Sequence, residues 1–224
     1  MDGEEIKTID LGFVNAYLIK ENDNFFLIDT GIAPQWNRLL SKLQLAGCSQ
    51  DKLKLVIITH GDFDHTGSCA RLQQKYQAKI AMHVADTEIV TSGNPVKHKA
   101  RTLTGKLMLA ITNLTQADTR FDTFQPDILL NDGDRLDQYG FNAQVIHMPG
   151  HTQGSIGILT DRGMLFAGDS LANIRKPSLA PLFEDYMELQ KSFVKLKQMN
   201  IKTIYPGHGK PFSVNTLDSI KLHA

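Results

Sequence analysis

The stretch "THGDFDH", residues 59–65, places two histidines and two aspartates within seven positions, directly after the apolar run Leu53, Leu55, Val56, Ile57 and Ile58. A short run of that composition reads as a buried strand. His60, Asp62, Asp64 and His65 therefore follow a strand end, where rigid scaffolds commonly carry their binding residues. Other ligand-type residues occupy comparable places: His151 follows a strand in "MPGHTQGS", Asp169 ends one in "FAGDS", and His208 follows another in "YPGHG". Strand ends along one sheet edge can converge on a single cleft. Gly or Pro beside these residues lets the backbone turn tightly, and solvated loops seldom gather histidine and aspartate in this way.

Spacing then suggests chemistry. Residues i and i+2 of an extended segment project to one side, so His60 and Asp62 can address one ion and leave Asp64 and His65 for its neighbour. Imidazole nitrogen combined with carboxylate oxygen suits Zn, Mn or Fe, whereas calcium prefers oxygen alone, and copper or a structural zinc site prefers thiolate. Asp169, with two oxygens, can bridge two ions about 3.5–4 Å apart, and such a pair can hold a hydroxide at neutral pH. Cys48 and Cys69 form no C-x-x-C and receive no role. His83, His98, His147 and His223 stand outside these motifs and read as surface or hydrogen-bonding histidines.

The chain of 224 residues reads as a single domain, 1–224. Lys plus Arg is 24 and Asp plus Glu is 24, so no net field draws it to nucleic acid or an anionic membrane. The expected partner is a small molecule. "MDGEEIKTIDLG" lacks the positive, apolar character of a secretory signal, and no apolar run reaches about 18 residues, which predicts a cytoplasmic protein with no membrane segment; the oligomeric state is open. Strands are expected at Phe13 to Ile19 and Asn24 to Ile28 around "KENDN", then a helix holding Trp36, Leu39, Leu40 and Leu43 with Gly47 at its end, then the strand Leu53 to Ile58. A helix over Ser68 to Tyr76, a strand over Ala78 to Met82 and a helical start at Ala85 to Val90 continue the alternation. Residues 91–125 carry Lys97, His98, Lys99, Arg101 and Lys106, followed by the helical apolar face Leu107, Leu109, Ala110 and Leu114, and read as a helical insertion or lid. Strands return from Ile128, helical periodicity returns over Tyr186 to Met199, and Thr203 to Tyr205 leads into "PGHGKP". That order predicts an α/β protein with two layers of sheet and helices outside.

"THGDFDH", "PGHTQGS", "FAGDS" and "PGHG" resemble, in order and spacing, the motifs of the metallo-β-lactamase fold superfamily over nearly the whole chain. "LIDTG" at residues 27–31 is similar to that superfamily's early strand and turn. The resemblance implies a four-layer αβ/βα sandwich with a dinuclear metal site at one edge of its two sheets. It implies that His60, the residue at 62 and His151 hold one ion, that Asp64, His65 and His208 hold the other, that Asp169 bridges them, and that Asp29 supports the metal loop from behind. One position departs from the pattern. The superfamily motif is H-x-H-x-D-H, and here Asp62 replaces the second histidine. A carboxylate in place of a neutral nitrogen adds negative charge, so Mn or Fe becomes competitive with Zn for the two divalent ions; were Asp62 to point away, only the second site would fill.

The expected activity is metal-dependent hydrolysis of a small acyl substrate, a lactone, thioester or related ester. A hydroxide held by the ions attacks the carbonyl, and Asp64 orients or deprotonates the water. Phosphodiester hydrolysis by the same pair of ions and a mononuclear iron sulfur dioxygenase are the alternatives. The basic cluster at 97–106 and "LANIRKPSLAPLFEDY" after Asp169 offer cations and apolar cover for an acyl group with an anionic end. Tyr186 reads as core.

Overall fold

The computed structural model describes residues 5–114 and 121–222. In the first half, β1 (Glu5–Asp10), β2 (Asn15–Glu21), β3 (Asn24–Ile28), β4 (Leu53–Ile57), β5 (Ile80–His83) and β6 (Ile128–Leu130) form one sheet in sequence order. The first three strands pair antiparallel through short turns, while β3 to β6 run parallel. Parallel pairing needs a long crossover. The crossovers here carry α1 (Trp36–Leu45), α2 (Phe63–Thr66), α3 (Cys69–Tyr76), α4 (Thr87–Ser92) and α5 (Leu103–Leu114). The second half supplies β7 (Ala143–His147), β8 (Ile156–Thr160), β9 (Met164–Asn173), β10 (Ser178–Leu179), α6 (Tyr186–Leu196), β11 (Thr203–Gly209) and β12 (Phe212–Ser213). Its sheet has the order β12-β11-β9-β8-β7, with β10 on β9.

Alternation along the strands explains why the two sheets stack. In β2 and β3, Ala16, Leu18, Phe25 and Leu27 face Leu39 and Leu43 of α1 and Leu72 of α3, while Tyr17, Ile19, Phe26 and Ile28 face Phe141, Val145, Ile158 and Phe166 of the second half. On the far side of the second sheet, Ile146, Leu165 and Ala167 pack against Leu189, Phe193 and Leu196 of α6. Three apolar layers thus separate helix, sheet, sheet and helix, the four-layer α/β sandwich expected from the sequence. Between the sheets, Phe26 stacks on Phe141 with centroids 4.7 Å apart. Cys48 and Cys69 are buried, free thiols.

The strands differ from the expected ones where the functional residues lie. Phe13 sits before β2, in the turn around Gly12, and β1 precedes it. Asp169 and His208 are not at strand ends, because β9 runs on to Asn173 and β11 to Gly209. Gly168 adopts a positive φ of 49° and the β9–β11 register shifts on either side of Pro206, so the ladder is interrupted at these two residues and resumes beyond them. The apolar residues of α5 are not a core face: Leu103, Leu107, Ile111 and Leu114 are exposed, and only Leu109 is half-buried. Among the described residues, no helix is long and apolar enough to cross a membrane.

Phe141 is fully buried between the sheets, so Phe141→Ala is expected to cost about 3–5 kcal/mol of stability. Urea unfolding followed by circular dichroism measures this; a loss below about 1 kcal/mol would mean that the inter-sheet layer does not hold the sandwich together.

Candidate metal centre

The seven ligand-type residues of the sequence motifs converge where the two sheets meet. Asp29, directly after β3, organises the first motif. It occupies the left-handed region with φ 59°, a conformation costly for a residue with a side chain. Its buried carboxylate accepts from Thr59 N and Thr59 Oγ1, both at 2.8 Å, and stands 2.8 Å from His65 Nδ1. Thr30 adds a bond from its N–H to the His65 carbonyl at 2.8 Å. Both ends of "THGDFDH" are thereby fixed to the turn after β3. Between them, the extended backbone of Asp62 precedes the short helix α2, which carries Asp64 and His65 inward.

A second carboxylate, absent from the sequence reading, ties the His60 loop to the His151 loop. Asp86 is buried and accepts from Gly61 N at 2.8 Å, Gly154 N at 2.6 Å and Thr152 Oγ1 at 2.7 Å. A lone aspartate after β5 carries no motif, so nothing in the sequence distinguishes it. The second sheet is tied in by Tyr17 Oη and Asn15 Nδ2, which donate to the Pro206 carbonyl at 2.6 and 3.2 Å.

The four motif histidines share one orientation. Each offers Nδ1 to an oxygen: His60 to Thr59 Oγ1 at 3.0 Å, His65 to Asp29, His151 to the Leu182 carbonyl at 2.8 Å, and His208 to the Phe13 carbonyl at 2.5 Å. Nδ1–H is then the donor, and Nε2 faces the centre, the orientation a metal-ligating histidine requires. Three groups of ligand atoms could each surround an ion: His60, Asp62 and His151; His60, His65 and Asp169; Asp64, His65 and His208. Asp169 reaches both ends, with Oδ1 at 3.2 Å from His65 Nε2 and Oδ2 at 2.9 Å from His208 Nε2 and 3.9 Å from His151 Nε2. His60 Nε2, His65 Nε2 and Asp169 Oδ1 are buried without a hydrogen-bond partner among the described residues. Buried polar atoms rarely go unsatisfied, and orphans converging on one point fit a cation. Gly207 completes the cradle, because a Cβ there would fall on the Asp169 carboxylate and the His65 ring.

Charge in the cluster is strongly coupled. Burial alone would push the carboxyls up, but the imidazoles of His98, His151 and His60 around Asp62, and of His208 and His65 around Asp169, hold both well below the usual carboxylate range. Asp64 is likewise lowered against its burial, by His65 and His208. His151 is pushed up to about 9, since Asp62 outweighs the effect of its burial.

One histidine corrects the sequence reading. His98, read there as a surface or hydrogen-bonding residue, does make a hydrogen bond, but inside the cluster: its Nε2 is 2.8 Å from Asp62 Oδ2. It stands apart from every motif, so only the folded chain reveals it. His83 and His147 stack on each other at 4.1 Å and belong to none of the three ligand groups, and His223 lies outside the described residues.

Above the centre opens a cavity of about 1290 Å³. Asp62, Asp64, His151, Asp169 and His208 form its floor, and Phe63, Ile89, Met108, Leu109, Phe121 and Ile174 contribute its apolar walls. Lys97 also lines it. Tyr186 is half-buried against Phe183 and is not among the lining residues, with the Arg101 guanidinium 4.8 Å over its ring.

A sandwich of two sheets between helices, with histidine and aspartate ligand groups at the meeting of the sheets, defines a class of metal-binding α/β proteins. Within that class the chain belongs to the metallo-beta-lactamase superfamily, whose family model matches residues 9–208. The human acyl-coenzyme A thioesterase MBLAC2 is 25% identical over 215 residues, covering 91% of this chain and 75% of the relative. The hydroxyacylglutathione hydrolase GloC of Haemophilus influenzae is 29% identical over 165 residues, covering 70% and 66%. A crystal structure of a metallo-beta-lactamase family protein from Thermus thermophilus has the same fold, with a TM-score of 0.73 at 19% identity over 97% of this chain and 77% of that one.

Asp86→Ala strands the buried N–H groups of Gly61 and Gly154, each expected to cost about 1–3 kcal/mol, while Thr152 Oγ1 keeps Ser155 Oγ at 2.8 Å. Uptake of a divalent metal ion should weaken as well, because the His60 and His151 loops lose their tie. Thermal unfolding with and without added divalent metal tests both effects, and a variant that matches the wild type in each would remove Asp86 from the support of the centre.

Proposed function

We propose that the protein is a metal-dependent hydrolase of small thioesters or related acyl esters. In this reading His60, Asp62 and His151 hold one divalent ion and Asp64, His65 and His208 a second, with Asp169 between them. Zinc suits the donor set, and the carboxylate of Asp62 admits Mn or Fe. Residues 91–125 are an insertion within one domain, and Val96, Lys97, Met108, Leu109 and Phe121 from it line the cavity over the ligand cluster and cover the substrate. When bound, the ions supply Lewis-acid polarisation of a carbonyl and make a water acidic enough to lose its proton near neutral pH.

The observation that carries the proposal is the cavity of about 1290 Å³, whose floor is the ligand cluster and whose walls include Phe63, Ile89, Met108, Leu109, Phe121 and Ile174. Such walls exclude water and seat an acyl chain, while the few polar groups on the floor fix its carbonyl end. Lys97 offers a cation to an anionic leaving portion. Asp64, kept ionised by His65 and His208, faces the cavity and accepts the proton of the attacking water. Two relatives are named for acyl chemistry, an acyl-coenzyme A thioesterase and a hydroxyacylglutathione hydrolase, which favours a thioester over a phosphodiester.

Metal-replete protein is expected to release thiol from acyl-coenzyme A thioesters, followed with a thiol-reactive dye, faster as the acyl chain lengthens toward the size of the cavity. Chelation should abolish the activity and added zinc restore it. Cleavage of bis-p-nitrophenyl phosphate without thiol release would replace this reading with a phosphodiesterase.

Asp64→Asn should lower turnover about 10²- to 10⁴-fold with little change in the unfolding midpoint. Full activity at unchanged metal content would exclude Asp64 as the proton acceptor.

A further inference from the structure

Asp62, the residue that departs from the superfamily motif, has a partner outside all the motifs. His98 Nε2 stands 2.8 Å from Asp62 Oδ2, the same oxygen that His151 Nε2 approaches at 3.0 Å and His60 Nε2 at 3.6 Å. The His98 ring stacks on His151 with centroids 4.7 Å apart and planes 19° from parallel. Its backbone is fixed by an antiparallel bridge: Lys99 N donates to the Phe183 carbonyl at 2.7 Å, and Phe183 N to the Lys99 carbonyl at 3.1 Å. The carbonyl that orients His151 belongs to the neighbouring Leu182. One loop therefore positions both imidazoles flanking Asp62.

His98 is built unlike the ligand histidines. Those four anchor Nδ1 and aim Nε2 at the centre, whereas His98 Nδ1 is buried without a hydrogen-bond partner among the described residues and Nε2 is engaged by Asp62. Among the described residues, no group of candidate ligand atoms includes it. Asp62 in turn faces a competing demand. It stands at the N-cap of α2, a position where aspartate normally accepts from the first backbone N–H groups of the helix, yet its side chain makes no such bond.

We propose that His98 is the positioning residue of the first metal site. Resting on the metal-centre reading above, it donates Nε2–H to Asp62 Oδ2, holds the carboxylate away from the helix cap and toward His60 and His151, and offsets part of the negative charge that Asp62 brings. The Asp62–His98 pair, one member from the motif and one from the insertion, together fills the place of the motif's second histidine.

The test is a zinc titration of metal-stripped protein against a chromophoric chelator, with cobalt(II) absorption as a second readout of the site. Wild type should take up two ions. His98→Ala should weaken one of them about 10- to 100-fold and leave the other unchanged. His98→Gln, whose amide nitrogen can donate from nearly the same place, should recover most of the loss. In an Asp62→His background, His98→Ala should be close to silent. Unchanged affinities in His98→Ala, or equal losses with and without Asp62→His, would overturn the assignment, and unfolding of the stripped proteins separates a loss of fold. Uptake of one ion by the wild type would overturn the dinuclear reading instead, and the effect of His98→Ala on that single site would still decide the role of His98.

Discussion

A carboxylate enclosed in protein must be surrounded by donors, and Asp29 meets that requirement with the two ends of a single seven-residue stretch. Thr59 and His65 both reach it. Satisfying one buried charge therefore fixes where His60 leaves the strand and how the His65 ring is turned. Asp86 repeats the arrangement after β5, tying the His60 loop to the His151 loop, and Tyr17 with Asn15 ties the first sheet to β11, the strand that carries His208. Apolar layers press the sheets together without specifying position along the strands to a fraction of an ångström. Directional bonds to buried polar groups supply that specification.

The fold was legible in the sequence because its signal is periodic. Two-residue alternation in β2 and β3 and four-residue spacing of Leu39 and Leu43 in α1 identify faces before any contact is known. The ligand cluster was legible for a different reason: histidine and aspartate beside glycine and proline are rare enough to stand out. His98 and Asp86 had neither advantage. Each is a single residue of common type, and its importance arises from what the folded chain brings opposite it. The placement of Asp169 and His208 inside strands was hidden too, since the glycines and proline that suggest a strand end also permit a kink through which the ladder continues.

The walls of the cavity come from the least periodic parts of the chain. They draw on the turn before β2, the end of α4, residues 93–98, Met108, Leu109, Thr112 and Phe121, and the residues after β9. These segments also anchor residues in the core, Val90 and Phe124 under the first sheet and Phe183 against α6, so the cavity-facing side chains can vary only around those fixed points. The ligand floor beneath them is the opposite case: Gly207 has no room even for a methyl group.

His208 is anchored to the Phe13 carbonyl, a contact spanning 195 positions of sequence. It forms only after the last long strand has docked beside β9 and the two ends of the chain have met, and loop closure on that scale makes such contacts late and slow. A partly folded chain can present His60, Asp62 and His65 from one local segment, but not the complete cluster. An ion that binds the finished arrangement more tightly than any fragment adds its binding free energy to the closed chain alone. The last contact to form in the chain is thus one that completes the cluster, so ion binding and final docking of β11 would favour each other.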